Sequence, residues 1–545
     1  MTTFPIRTGI CLVMAGSLFS GTAGASMPRG VPEAHGVSSA ALLELVHALE
    51  DRVGGLHSLM IARDGQVILE GWWAPYRAGD NHVLYSLSKS FTATAVGLAA
   101  AEGRLSIDDE VLKYFPAEAP ADPAPTLRAM RVRDLLMMTT GHQDEPPLSP
   151  DRMSVRTFLA HPVPHPPGTH FRYNTPATFM QSAIVRKATG QTVLEYLRTR
   201  LFEPLGIERP VWETNFEGIP LGGYGLRVRT EDILKFGLLH LREGEWGGRR
   251  LLPAEWVRLA TSRQTSNGSH PESDWNQGYG FQFWRCRHNA YRGDGAFGQF
   301  CVVMPDQRVV VAITGGLGDM QGVLNVLWER LLPACEPRRL RPNNEAHERL
   351  QAKLGRLEVV PAQGAPYSAA AGQWVDRRYD FPENPRRVES LWLRPGLEDR
   401  EWILSMVVNG RTLHLPSGFR EWRRGRAPFP AGPLAQFPDE PVAGTYGWET
   451  DQQLTVKVCA TETPFHLTLR LAFEGDAVTL DAAANVAFGP TVWETVTGRA
   501  EPVEAEADAE PQTESEADPE PDAEAGVDPV AGDDDDAADD AASDP

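Results

Sequence analysis

Apolar and polar positions along residues 37–335 alternate in a pattern that predicts strands at both ends and helices between them. Two apolar runs near the start, 57–62 and 66–73, flank Asp64-Gly65, a pair typical of a tight hairpin turn. Helical spacing follows at 176–188, 192–201, 230–242 and 253–262. Strand-like runs return at 279–286, 298–304 and 308–314, before a closing helix over 322–332. The order predicts an α/β (α+β) fold, in which an antiparallel sheet built from both ends is flanked by helices and carries a helical subdomain.

The character of the chain changes after about residue 340. Residues 341–370 are polar and predict a linker. From 371 to 500, short alternating runs predict a small antiparallel β domain, a lipocalin-like barrel or a sandwich, and Asn409-Gly410 indicates a type I′ hairpin. No candidate catalytic group stands out there. Three roles stay open for this region: a cover over an active site, a binding module or a stabilising appendage.

The formal charge of −21 comes almost entirely from the end of the chain. Residues 501–545 hold nineteen Asp and Glu and no Lys or Arg, so residues 1–500 carry a net charge of only −2. Such a tail cannot bury enough apolar surface to order itself, and we expect it to be disordered. The near-neutral remainder has no basic field, which argues against nucleic acid as a partner.

The first 25 residues have the pattern of an export signal. Arg7 supplies a positive start, residues 10–19 are mostly apolar, and Ala23-Gly24-Ala25 is a small-x-small cleavage site. The apolar run is too short to span a bilayer, so no membrane span is expected after cleavage. The prediction is an exported protein, periplasmic or secreted, with its folded part starting at residue 26.

The strongest candidate for chemistry lies in residues 85–101. The stretch predicts a loop followed by a helix that is small and apolar on nearly all sides, and therefore buried. Ser86 is at or near the helix start, where its hydroxyl can cap backbone N–H groups, and Lys89 follows one turn later. A buried lysine loses its proton more readily and can then activate a serine. The pair alone is also compatible with a capping serine and a solvated lysine.

Three later motifs favour the catalytic interpretation of Ser86 and Lys89 over the capping one. They are Phe171-Arg172-Tyr173-Asn174-Thr175, Gly222-Gly223-Tyr224-Gly225-Leu226 and Asp294-Gly295-Ala296-Phe297-Gly298-Gln299. In this order after Ser-x-x-Lys, they closely resemble the β-lactamase-related serine hydrolases over residues 37–335. That family includes class C-type β-lactamases, D-alanyl-D-amino-acid peptidases, esterases and hydrolases of the 6-aminohexanoate-dimer type.

The resemblance implies a role for each matched residue. Ser86 would attack a carbonyl and form an acyl-enzyme, and Lys89 would take its proton. Tyr173 matches the tyrosine of the Tyr-x-Asn motif, and its phenol would either be partly deprotonated beside the lysine or pass a proton to the leaving group. Gly298 would let substrate approach the backbone, and the N–H groups of Ser86 and Gln299 would form the oxyanion hole.

Two departures from the family pattern bear on the substrate. Asn174 and Thr175 stand where the motif's asparagine is expected, with the amide one residue early. Ala296-Phe297-Gly298 matches an edge-strand motif that usually begins with a cation, which binds a substrate carboxylate. These five residues are the predicted substrate contacts. The missing cation favours esters or amides without a carboxylate, although Arg172, Arg292 and His142 are left open as substitutes.

The sequence as a whole therefore predicts an exported serine hydrolase that cleaves small ester, amide or peptide-like substrates. Neither a cofactor nor a metal is expected, because no histidine or cysteine pattern has metal-ligand spacing. A catalytically weak or inactive sensor, similar to a penicillin-binding protein, is the alternative, and the oligomeric state is not predicted.

Overall fold

The computed structural model describes residues 26–429 and 437–500 of the 545. The predicted signal segment and the acidic tail lie outside these residues. The first part of the chain contains the following strands: β1 Leu56–Arg63, β2 Gln66–Trp72, β3 His82–Val83, β4 Val211–Trp212, β5 Leu226–Val228, β6 Glu245–Trp246, β7 Arg249–Arg250, β8 Trp284–Arg285, β9 Tyr291–Gly295, β10 Gln299–Met304 and β11 Val309–Gly315. Its helices are α1 Ser39–Arg52, α2 Ser88–Ala101, α3 Pro125–Ala129, α4 Val132–Leu136, α5 Val155–Ala160, α6 Thr175–Thr189, α7 Val193–Leu197, α8 Glu203–Leu205, α9 Thr230–Leu241, α10 Ala254–Thr261, α11 Met320–Val326 and α12 Asn344–Leu354.

The main sheet joins the two ends of this part, as predicted. Its strand order is β2-β1-β11-β10-β9-β8, and the pairings are antiparallel. Asp64 and Gly65 have φ of 52° and 81°, the left-handed pair that a two-residue hairpin between β1 and β2 requires. The predicted α+β architecture is confirmed.

One strand prediction is only partly right. Within residues 279–286 only Trp284–Arg285 form a strand, β8, and Tyr279 makes isolated bridges to Thr265 and Trp284. The strand at this place in the sheet is β9, which the apolar pattern did not predict. Its sequence, Tyr-Arg-Gly-Asp-Gly, is rich in residue types that are depleted in strands.

Helices α2, α6 and α9 are mostly buried and pack against one another or against the main sheet. Helix α2 is buried along nearly its whole length, which its small residues permit. A Cβ at Gly97 would lie 2.3 Å from the Trp256 ring, so the helix approaches α10 closely. Helices α6 and α9 match the predicted segments to within one residue, and α9 packs on β10 and β11.

The second part of the chain is a closed barrel, which settles the choice between barrel and sandwich. Its strands are β12 Tyr379–Asp380, β13 Val388–Pro395, β14 Glu401–Val408, β15 Arg411–Phe419, β16 Arg423–Ala427, β17 Glu440–Thr450, β18 Gln453–Ala460, β19 His466–Glu474, β20 Ala477–Ala484 and β21 Val496–Ala500. Nine strands pair in the order β15-β14-β13-β12-β21-β20-β19-β18-β17, and a parallel contact between β15 and β17 closes the ring. Asn409 and Gly410, with φ of 51° and 71°, make the predicted hairpin turn.

The barrel packs directly on the residues that lead into α2. Val83 and Tyr85 belong to the same apolar cluster as the barrel core. Val83 N–H donates to Glu462 O at 2.8 Å, and the Asn485 side chain donates to Gly316 O at 3.3 Å.

In the part of the chain that the structure describes, no helix is long and apolar enough to cross a bilayer.

A buried ion pair reinforces the contact between the barrel and the first part of the chain. Arg227 on β5 donates to both carboxylate oxygens of Glu440 on β17, at 2.7 and 2.6 Å, and the two side chains are only 4% and 1% exposed. The Arg227 guanidinium also lies 4.2 Å from the ring centroid of Phe437. Glu213 lies 3.9 Å from Arg227, and burial raises the pKa of its carboxyl to about 8.

We expect Glu440→Ala to lower the free energy of unfolding by about 3 kcal/mol, because the buried Arg227 charge loses its two short contacts and keeps only the longer ones to Glu213 and Glu462. Differential scanning calorimetry would detect this as a lower thermal midpoint. Glu474→Ala is the control, since Glu474 is an exposed residue at the end of β19. Equal midpoints for the two variants would contradict the prediction.

Candidate active site

Ser86 lies in a tight turn just before α2. Residues Tyr85–Leu87 form a short 3-10 helix, and Tyr85 has a φ of 44°, a left-handed conformation that is uncommon for an aromatic residue. Leu84 N–H donates to Leu226 O at 2.8 Å, and Leu226 N–H donates to the Ser88 hydroxyl at 3.1 Å. The predicted capping role of Ser86 is wrong, because no side chain caps this helix start. The turn leaves the Ser86 hydroxyl facing Lys89 instead.

The Lys89 amine is the centre of the site. The residue is 1% exposed, and its Nζ donates to Ser86 Oγ at 3.0 Å, to Thr175 Oγ1 at 3.2 Å and to Gly223 O at 2.7 Å. Burial lowers the pKa of this amine to about 7, against the opposing effect of the Glu145 and Asp294 carboxylates. A lysine in this setting is partly unprotonated at neutral pH, so it can accept a proton.

Tyr173 lies on the other side of the same hydroxyl. Lys89 Nζ is 5.0 Å from its ring centroid. The ring stacks on Trp284 with centroids 5.3 Å apart. Burial raises the pKa of this phenol above its usual value, and Asp294 adds to the effect, whereas the nearby Ser86 hydroxyl acts to lower this pKa. The phenol therefore keeps its proton and is suited to donate it.

Thr175 takes the place that the family pattern gives to an asparagine. Its hydroxyl accepts from Lys89, and its backbone N–H donates to Glu145 Oε1 at 2.6 Å. Asn174 is fully buried, and its side chain accepts from Ala177 N–H at 3.0 Å as the N-cap of α6. Because a buried capping amide has no face left for substrate, the prediction that Asn174 contacts substrate is corrected.

The strand that faces Ser86 is β9, and this corrects the predicted register. A Cβ at Gly295 would lie 2.0 Å from Leu84 O and 3.1 Å from Ser86 N, so β9 touches the nucleophile turn at this glycine. A Cβ at Gly298 would instead meet the Leu317 side chain at 2.2 Å. The edge-strand glycine of the family motif is therefore Gly295, three positions before the predicted Gly298.

The corrected register also changes which residue can supply the second N–H group of the oxyanion hole. Gln299 is fully buried and pairs with Gly295 in the ladder, and its side-chain amide donates to Ala296 O and Gly315 O at 3.0 and 2.8 Å. The residue after Gly295 is Ala296, whose N–H becomes the candidate second donor beside Ser86 N–H. Phe297 has a φ of 64° and packs against Tyr85, with ring centroids 5.9 Å apart.

The structure also brings in groups that the sequence did not single out. Asp294 is buried, and its carboxylate is one of the charges that act on Lys89 and Tyr173. Glu145, in a loop with no sequence signal, meets Thr175, whereas Gly223 belonged to a quoted motif but had no assigned role. No group of three His, Cys, Asp or Glu side chains among the described residues has the arrangement of a metal site.

Of the three cations considered as carboxylate binders, Arg292 and His142 are buried and partnered within the protein, whereas Arg172 is exposed. Arg292 is fully buried, and its guanidinium is paired with Asp294 at 2.7 Å. His142 is also fully buried and hydrogen-bonds with the Thr140 hydroxyl at 2.8 Å. Arg172 is exposed beside the site. The charge of Arg292 is therefore already neutralised within the protein.

Known proteins match the part of the chain that contains this site. Residues 44–315 match the Beta-lactamase family model. Penicillin-binding protein 4 of Amycolatopsis lactamdurans is 28% identical over an alignment of 316 positions, which covers 46% of this chain and 80% of that protein. The 6-aminohexanoate-dimer hydrolase of Paenarthrobacter ureafaciens is 24% identical over an alignment of 254 positions, which covers 43% of this chain and 64% of that protein.

Among solved structures, the octameric penicillin-binding protein homologue from Pyrococcus abyssi is similar with a TM-score of 0.44 and 15% identity, over 85% of this chain and 100% of that one. The family match and the α+β architecture define a hydrolase family with the β-lactamase fold. Through residues 44–315, the chain belongs to the β-lactamase family.

We expect Gly295→Ala to slow the reaction of Ser86 with a fluorophosphonate by at least about a hundredfold, since the new methyl group would push β9 away from the nucleophile turn. The measurement is the rate of covalent labelling in the folded protein. Gly318→Ala is the control, because a Cβ there would meet no atom within 4 Å. A normal labelling rate for Gly295→Ala would show that β9 does not form this wall of the site.

Proposed function

We propose that this protein is an exported serine hydrolase that cleaves ester or amide bonds through an acyl-enzyme on Ser86. The observation that carries the proposal is the 3.0 Å contact between Ser86 Oγ and the buried amine of Lys89. The low pKa of that amine, about 7, supports its role as the base. The export signal at 1–25 supports the proposed localisation.

In the first half of the reaction, the Ser86 hydroxyl gives its proton to Lys89 as its oxygen bonds to the substrate carbonyl carbon. The negative charge on the carbonyl oxygen is stabilised by the N–H groups of Ser86 and Ala296. As the bond to the leaving group breaks, Tyr173 donates its proton to that group and regains one from the Lys89 ammonium. The products of this half are a free alcohol or amine and the acyl-enzyme.

In the second half, water attacks the ester carbonyl of the acyl-enzyme. The proton that water loses goes to the base pair of Lys89 and Tyr173, and the Ser86 oxygen leaves with a proton from the same pair. The result is a free carboxylic acid and the restored serine. Thr175 and Gly223 O support both halves, since they hold the amine at a fixed place.

The preferred substrates are neutral at the position where penicillins and D-Ala-D-Ala ends carry a carboxylate. This preference is supported by Gly293, which the corrected register puts at the position usually taken by a cation, and by the pairing of Arg292 with Asp294. The hydrolase domain is proposed to span 26–340, followed by a linker at 341–370, the β domain at 371–500 and the acidic tail at 501–545.

We expect a fluorophosphonate to label the wild type and to leave Ser86→Ala unlabelled, as seen by intact-protein mass spectrometry. Ser90→Ala is the matched control, because Ser90 lies one turn further along and donates to Gln282 O at 2.8 Å. Wild type and both variants, without the label, would then be tested on p-nitrophenyl esters, D-amino-acid amides and nitrocefin. No labelling of the wild type by any acyl or phosphonyl probe would favour the non-catalytic sensor.

The rate of acylation should follow the protonation of Lys89. Below about pH 7 only the small unprotonated fraction reacts, so the rate should rise about tenfold per pH unit and then level above pH 7. Lys89→Met should lower the rate by about 10²–10⁴-fold and abolish this titration. Lys113→Met, at an exposed position, is the control. An unchanged profile in Lys89→Met would identify a different base.

A further inference from the structure

The barrel encloses a cavity of about 690 Å³. Its wall is made of aliphatic and aromatic side chains, among them Met406, Leu413, Leu469 and Leu480. The volume lies within the range of about 300–1,000 Å³ that is typical of sites for small molecules. A nine-stranded ring is also wide enough to leave space that inward side chains do not fill.

Small residues on one strand keep this space open. Strand β20 points Leu480, Ala482 and Ala484 into the cavity, in the alternation of a strand. Larger side chains at the two alanine positions would occupy part of the volume. Water is a poor occupant, since it needs two to four polar partners and the wall offers few. The lumen therefore suits an apolar chain.

The charged groups of the cavity lie at its rim. Arg386, Arg387 and Glu494 are the charged lining residues, and all three are exposed. Arg386 covers the Trp493 ring at 4.3 Å, and Arg387 donates to the Asn409 side chain at 2.7 Å. Two cations against one carboxylate give the rim a positive balance. A ligand with an apolar chain and an anionic head matches both parts.

The cavity shares an aromatic wall with the candidate active site. Phe465 and Phe488 line the cavity, and both contact Tyr85, with ring centroids 6.5 and 5.6 Å away. They also contact Phe297, at 5.5 and 4.7 Å. The side chains of Ser86, Lys89 and Tyr173 are not part of the cavity wall. The two sites are thus adjacent but separate.

We propose that the barrel is a second ligand site, which binds a single aliphatic chain with an anionic head, such as a long-chain carboxylate. The chain lies in the lumen against Ala482 and Leu469, which are neighbours on one wall of the barrel, and the head stays at the rim beside Arg386 and Arg387. No covalent step is involved, and the site does not depend on the nucleophile.

The test uses the full chain carrying Ser86→Ala and the fluorescent fatty acid 11-(dansylamino)undecanoic acid as probe. We expect saturable 1:1 binding with a blue shift of the dansyl emission. Saturated carboxylates of 8 to 16 carbons should displace the probe, with Kd falling about fourfold per added methylene until the lumen is full, which corresponds to about 0.8 kcal/mol per buried CH₂. Dodecanoate should compete better than dodecanol.

Two variants on the same strand locate the binding. Ala482→Trp should fill the lumen and abolish binding, whereas Ala483→Trp, one residue along and outside the cavity wall, should bind as before. Far-UV circular dichroism checks that both barrels are folded. No saturable binding, loss in both folded variants or equal competition by dodecanol would overturn the proposal. Wild type should bind like Ser86→Ala, so a failure of the hydrolase function leaves this result readable.

Discussion

The transfer of one amine out of water is the event on which the candidate site depends. Lys89 enters the interior on a helix of small residues, and there it finds three oxygen partners from three different segments. Those partners belong to the turn before α2, the start of α6 and the glycine motif before β5. Because each segment supplies one contact, the geometry of the amine reports whether the helical subdomain and the sheet have come together correctly.

Burial serves two ends at this point. It makes the ammonium form of Lys89 unfavourable, and it keeps the phenol of Tyr173 in its neutral form. The two groups on either side of Ser86 are therefore biased in opposite senses, one towards accepting a proton and one towards donating it. Asp294 and Glu145 limit the effect on the lysine, since their negative charges favour the ammonium. The balance between burial and these charges keeps the pKa of the Lys89 amine at about 7.

Much of this architecture was predictable from the chain, but the register of β9 was not. The hairpins at Asp64-Gly65 and Asn409-Gly410, the helix after Ser86 and the β domain all follow from local patterns. Strand β9 failed the same reasoning because its glycines are there for contact with another segment: a side chain at Gly293 would meet the Ser90 hydroxyl at 2.6 Å. Residues chosen for close approach across space do not have the local preferences of a strand.

The same limit explains Asn174 and Glu145. Asn174 and Thr175 are neighbouring polar residues, and the first caps α6 while the second contacts Lys89. A shift of one residue would exchange these roles, and motif matching does not resolve such a shift. Glu145 lies in a loop with no regular pattern, so only the folded chain brings its carboxylate to the start of α6.

The position of Tyr85 has a consequence for how this protein could have arisen. Its ring belongs to the apolar cluster of the barrel, while its backbone precedes the nucleophile by a single residue. A gene that lost the barrel would leave this ring and Val83 facing solvent, at the spot where the serine must be held. The two folds therefore depend on each other structurally, and replacement of either one would require compensating changes in the segment from β3 to α2.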